Sequence, residues 1–331
     1  MNHNLTLKTE SIPLSKSERL SGVFSANTIN LKPGFIMALV ANILWGASFL
    51  ASKYTLQAWG PITASGLRFG IATICLYIVL IIMRKKIEIP SNLKQWIGLI
   101  IIGTSGFGLL YPLQLAGLKY ISSSLSAAIM LVSPLLVIVL GKIILNDSLT
   151  IQKWIALSLG VFGGSILLSA NKNITLELSG DFASGASLTL LSATCLAISV
   201  VATRKNSKDF STASITLWSM AIGFLELTIA AFIFEENVLA SITKNASLVS
   251  WTALFFLALI CSAFCFFIWN AALARTSPQE IASSMHIKTP TAVMIGVFIA
   301  NEALTTQVLI GTGLVMFGVW FSQQSGFWSK K

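Results

Sequence analysis

The sequence predicts an all-α integral membrane protein with ten transmembrane helices arranged as two inverted five-helix repeats. Three observations carry this expectation. Of the 331 residues, 55% are hydrophobic and only 10% are charged, against about 25% charged in soluble domains. Apolar runs near the 20 or so residues needed to cross a bilayer recur along the chain. Finally, motifs of the first half return in the second.

The chain opens with a polar stretch rich in Ser, Thr and Asn that lacks the apolar core of a signal peptide. Glu10 and Glu18, with little Arg, also argue against a transit peptide, so residues 1–34 are expected to be a disordered cytoplasmic tail. The expected spans follow at 35–55, 61–83, 95–117, 121–143, 149–169, 182–203, 213–234, 249–272, 278–300 and 305–323. Residues 35–170 then form the first repeat, 180–323 the second, and 324–331 a cytoplasmic tail.

Lys and Arg give the direction. With the N-terminus inside, the cluster Arg84, Lys85, Lys86 and Lys94 falls in the cytoplasm, as do Arg204, Lys205, Lys208 and Arg275. Only Lys53, Lys119, Lys172 and Lys244 fall outside. That bias predicts both termini on the cytoplasmic side of a plasma membrane, for a bacterium the inner membrane. The net charge of +10 sits in short clusters between apolar runs, which suits a lipid bilayer as partner rather than nucleic acid.

The repeat is legible without a gap. "GKIILNDSLTIQKWIALSLGVFG" (Gly141 to Gly163) aligns with "GVFIANEALTTQVLIGTGLVMFG" (Gly296 to Gly318). Upstream, "AGLKYISSSLSAAIMLVSP" pairs with "ALARTSPQEIASSMHIKTP", setting Pro134 against Pro290. Five spans per copy is an odd number, so the second copy must insert upside down. Inverted repeats of this kind mark transporters whose substrate site lies between the halves near the midplane.

The motifs resemble the EamA branch of the drug/metabolite transporter superfamily. "ALVANILWGASFLASKYTL", with Trp45-Gly46 and then Lys53, is similar to that family's opening helix. "GLRF" (Gly66 to Phe69) resembles its second helix, and "NDSLT" and "NEALT" its acid-x-Leu-Thr motif, with Asp147 where Glu is commoner. The resemblance covers residues 35–323. It implies a secondary transporter of small organic metabolites working by alternating access, with export of amino acids or related amphipathic compounds the best fit. Uptake or exchange of a nucleotide-like or sugar-like metabolite by the same fold is the alternative.

Individual residues sharpen this. Only Arg68, Glu226 and Lys288 place a charge inside a span, at about 2.5–3.5 kcal/mol each near a helix centre. Arg68 and Glu226 each lie about 10 Å below the outer surface by helical rise, which permits an intramembrane charge pair. Lys288 lies about 15 Å into its span with no acid at its depth, so it is expected to face the pathway and meet a carboxylate or phosphate. Pro134 and Pro290 each free a carbonyl four residues earlier, those of Met130 and His286, and could act as hinges or as simple kinks healed by a neighbouring hydroxyl. His286 titrates near neutral pH and offers proton coupling, or packs as a hydrogen-bonded side chain. Trp45 sits midway along its span and either stacks on substrate or packs. Tyr111 and Gln114 in span three, and Asn270 opposite Gln114 in the second repeat, complete the candidate substrate set or bond between helices.

Cys75, Cys195, Cys261 and Cys265 all lie in apolar runs with no ligand spacing, so they read as small packing residues and no metal or other cofactor is expected. The chain shows no Walker A loop and no G-x-S-x-G motif. An intramembrane enzyme would need a nucleophile and base at depth, which the sequence does not offer, so the chain is expected not to be an enzyme. Monomer and homodimer both remain open.

Overall fold

The computed structural model describes residues 33–145, 151–168, 180–243, 246–273, 275, 284–285 and 287–323, and helix is the regular structure found among them. Helix α1 is Pro33–Thr55, α2 is Pro61–Ile82 and α3 is Leu93–Gly117. Helix α4 has two stretches, Ser123–Met130 and Ser133–Leu145. Next come α5 (Ile151–Leu168), α6 (Gly180–Asn206) and α7 (Thr212–Phe234). After the short helix Val238–Thr243, α8 runs through Leu248–Phe255, Phe256–Phe264 and Cys265–Leu273. Helices α9 (Lys288–Ala300) and α10 (Thr306–Gln323) close the described part.

The helix ends follow the sequence expectation to within three residues, apart from the start of α9, whose expected first turns include residues outside the described set. By length and composition, α1 to α4 and α6 to α8 can cross a membrane, seven helices among the described residues. Helix α9 is apolar but shorter, as is Thr306–Gly318 within α10. The chain is therefore an all-helical, multi-pass integral membrane protein.

Local chemistry fixes the boundaries. Asn92, Ser122, Ser211 and Ser247 each cap a helix start, accepting the backbone N–H three residues on; such caps satisfy donors that have no partner within the helix. Pro61 begins α2, where the missing N–H costs nothing. Asn301 ends α9 in the left-handed region at φ 52°, a conformation Asn tolerates, and its N–H returns to the Gly296 carbonyl.

Helix α2 packs along α7, α3 along α6, α5 along α10, and α1 against both α8 and α9. The α2–α7 seam buries Phe69, Leu76 and Leu80 against Leu217, Met220 and Leu227. In a separate cluster, Leu125 and Leu135 of α4 meet Ala186 of α6 and Val308 and Val315 of α10. At Gly46 the backbones of α1 and α9 nearly touch, and an added Cβ would lie 2.6 Å from the Lys288 carbonyl oxygen. Such small-residue contacts are how membrane helices gain van der Waals packing, since lipid competes for every larger apolar face. The outward faces are apolar too. Ile74, Ile82 and Phe298 are 62%, 74% and 76% exposed, a surface suited to acyl chains rather than water.

Two helices depart from α geometry. Thr104–Leu109 in α3 and Phe256–Phe264 in α8 are π-helical. Shifted by 156 residues, the spacing of Pro134 and Pro290, the first falls on 260–265 and overlaps the second. A π turn widens the helix and leaves carbonyls without their usual partner, and such turns concentrate at functional sites.

Candidate functional site

Arg68 projects from α2 toward the π stretch of α8. It is 3% exposed, and its Nε donates to Ser262 Oγ at 2.9 Å. The guanidinium carbon stands 4.5 Å from the Tyr111 ring centroid and 5.1 Å from that of Phe69, a favourable placement for a desolvated cation. One nitrogen, Nη2, is buried with no hydrogen-bond partner.

Glu226 does not pair with Arg68, which corrects the charge pair expected from their depth. Its Oε1 accepts from Thr104 Oγ1 at the first π residue of α3, and its Oε2 is buried without a partner. Helix geometry explains the separation. Gly66 and Gly70 of α2 face Leu227 and Phe224 of α7 across the seam. Arg68, two residues from each glycine, is turned about 200° away, while Glu226 is turned aside from Leu227 toward α3. Equal depth did not mean a shared face.

Lys288 is the first residue of α9 and is half-buried, its Nζ 5.3 Å from the Phe49 ring centroid on α1. Among the described residues no carboxylate lies within ion-pair distance of it; the ion pair found there is Lys53–Glu302. Trp45, one turn before Phe49, donates its indole N–H to the Cys261 carbonyl at 2.8 Å. Its ring rests on Phe266 and Trp269, centroids 5.5 and 5.2 Å away. The carbonyl it holds belongs to the π stretch of α8. Tyr111 packs on Phe69 with centroids 4.6 Å apart, and Gln114, one turn on, is buried.

The prolines behave alike in one respect: each stands in the first turn of a helical stretch, Pro134 after the Leu131–Val132 break and Pro290 near the start of α9. The Met130 carbonyl that Pro134 leaves free accepts from Ser133 Oγ at 2.8 Å. His286 lies outside the described residues, and of Asn270 the backbone alone is described, within α8.

The structure thus brings Arg68, Tyr111, Trp45 and Lys288 to the seam of α1, α2, α3, α8 and α9, and sends Glu226 elsewhere. Sequence reasoning missed Ser262 and Thr104, whose hydroxyls hold the two buried charges. It also missed Asn42, which donates from α1 to Ser284 Oγ at 3.1 Å and leaves Oδ1 buried and unpaired. A polar residue inside an apolar run was the available signal.

Three carboxylates outside the spans cap helix starts, a role the sequence reading did not assign to them. Glu235, after α7, accepts from the Ile62 and Thr63 N–H groups at 2.8 and 3.0 Å and from Thr63 Oγ1, closing the start of α2. Glu88, after α2, accepts from the N–H and hydroxyl of Ser211 at the start of α7. Each helix of this antiparallel pair is capped by the segment that follows the other. Glu302, after α9, accepts from the N–H and hydroxyl of both Ser123 and Ser124 at 2.7–3.0 Å, at the start of α4. Burial pushes the Glu302 carboxyl up, but the hydrogen bonds from Ser124 and Ser123 outweigh it and hold it below the usual value. For Glu88 the balance has the same sign, with bonds from Ser211 and Ser214 outweighing desolvation.

The sequence profile of the EamA-like transporter family matches this chain twice, at residues 32–169 and 183–323. The chain belongs to the EamA-like transporter family. Among its relatives, the uncharacterized transporter YyaM of Bacillus subtilis is 30% identical over 291 residues, covering 86% of this chain and 92% of YyaM. A probable amino-acid metabolite efflux pump of Salmonella typhimurium is 23% identical over 300 residues, 88% of this chain and 94% of its own. A solved crystal structure superposes with a TM-score of 0.61 at 16% identity, covering 87% of this EamA-like chain and 95% of that chain, a likeness of fold. Membership in the family makes a small molecule the substrate and the lipid bilayer the setting.

Proposed function

We propose that this EamA-like protein is a secondary transporter of the cytoplasmic membrane that exports a small amphipathic metabolite related to amino acids. Its ten helices cross the membrane as two inverted five-helix repeats, 35–170 and 180–323, with both termini in the cytoplasm, and alternate access to a site between the repeats. Lys288, Trp45, Tyr111 and Gln114, with His286 and Asn270, contact the substrate, and Pro134 and Pro290 mark hinges. His286 supplies a group for proton coupling.

One observation carries the reading. Helices α3 and α8 both break into π turns at corresponding places, and among the described residues two buried or half-buried cations, one held on the π stretch of α8, have no carboxylate partner. A bundle built only for stability gains nothing from either. The reciprocal caps of Glu88 and Glu235 support antiparallel copies, and the double family match supports a repeat. The name of the Salmonella relative supports efflux of an amino-acid metabolite.

Purified protein in liposomes, loaded with a panel of amino-acid derivatives and tested with and without a pH gradient, checks the proposal. Saturable efflux of at least one compound is expected. No flux of any compound in either direction would end it.

A further inference from the structure

We infer that the transported species is an organic carboxylate with an apolar body and no free ammonium group: an acid whose amine is absent or blocked, rather than a zwitterionic amino acid. The inference rests on the transport reading above and names the substrate class of that same site.

The charge inventory of the site leads here. A guanidinium carries five N–H donors, and Arg68 spends one on Ser262 while Nη2 stays buried and unpaired. The faces of Tyr111 and Phe69 steady its charge but take none of those in-plane donors. Lys288 has three donors and meets a ring, Phe49. A short relay of contacts joins the two cations. Ser262 follows Cys261, whose carbonyl holds the Trp45 indole, and Trp45 stands one turn from Phe49 beneath the Lys288 ammonium.

Against these two positive charges, no described carboxylate lies within ion-pair distance, and four of the described acids are committed elsewhere. Glu226 is turned into α3 on Thr104. Glu235 and Glu302 close helix starts at one end of the bundle, and Glu88 closes one at the other. Unpaired cations at depth are held at a cost that a visiting anion removes. A carboxylate can take a bidentate contact from the free edge of the guanidinium, and the Lys288 ammonium sets a second positive charge further along the same relay. A zwitterion would bring its own ammonium into a site that, among the described residues, offers two cations and no carboxylate. Trp45 and Tyr111 supply surfaces for the apolar body.

Three probes sharing one ring test the assignment in proteoliposomes: N-acetylphenylalanine (an anion), phenylalanine (a zwitterion) and phenylalanine methyl ester (a cation). The anion is expected to move at least tenfold faster than the other two. Its efflux is expected to carry negative charge, so an inside-negative potential set with valinomycin accelerates it. Lys288→Gln, which loses no ion pair, is expected to lower anion flux at least tenfold, with Lys288→Arg restoring part of it. Arg68→Lys is expected to raise the KM for the anion more than it lowers kcat. Faster movement of the zwitterion or cation, or unchanged anion flux in Lys288→Gln, overturns the charge assignment and leaves transport standing. Movement of none of the three, in wild type or variant, overturns the substrate assignment, and the transport reading falls with it only if no compound of the wider panel moves either.

Discussion

Replacing Glu302 by Gln probes the energetics of the cap on α4. The carboxylate accepts four hydrogen bonds, from the N–H and hydroxyl of Ser123 and of Ser124, and Lys53 stands 3.5 Å away. An amide keeps one acceptor oxygen, sets an NH2 group against one pair of donors, and loses the charge that strengthens all four bonds. Charge-assisted bonds contribute about 1.5–3 kcal/mol each and neutral ones about 1. The helix-start interaction with a negative charge adds about 0.3–1 kcal/mol. A loss on the order of 3 kcal/mol follows, equivalent to about 4 °C in a chain of this size. Because the fold holds this carboxyl below its ordinary 4.5, its contribution is fully present above that pH and is lost as pH falls through the lower folded value. Thermal unfolding in detergent, scanned from pH 8 to pH 3, should therefore show wild type well above E302Q at neutral pH and the gap narrowing below about pH 4.5. Curves that coincide at pH 7, or a gap that does not shrink in acid, would refute the reasoning.

Other variants test other contacts. A double-mutant cycle on Arg68→Gln and Glu226→Gln should give a coupling below about 0.5 kcal/mol in unfolding free energy, since the two side chains do not meet; a direct ion pair would show several times that. Ser133→Ala removes the donor that heals the Met130 carbonyl and should cost about 1–2 kcal/mol by the same melts. Gly46→Ala must push α1 from α9 because its Cβ would fall 2.6 Å from the Lys288 carbonyl; a loss of about 1–3 kcal/mol, with reduced flux, is expected.

The sequence carried the helices well and their faces less well. Apolar runs, Lys and Arg bias and the Gly141–Gly163 repeat are local or additive signals, so the helix ends were readable to within a turn. Lys288 stands out in the sequence, because a charge inside an apolar run is costly wherever it points. The pairing of Arg68 with Glu226 was not, because depth along a span says nothing about azimuth. The π stretches were invisible for a related reason: one extra residue in a turn leaves composition unchanged while rotating every side chain beyond it by about 100°. The role of Glu302 lay in contacts 178 and 179 residues apart in sequence, which only the folded chain discloses.

The crossed caps of α2 and α7 have a consequence for assembly. The acceptor that completes α2 arrives only after α7 has been made, and the acceptor that completes α7 was left behind by α2. Each stretch of chain leaves helix-start donors that a carboxylate of the other accepts, so during membrane insertion the early helices wait for late ones. Cut in the 169–179 connection and co-expressed, the two fragments should recover each other as an obligate pair, whereas either one alone would carry open donors that quality-control proteases can find.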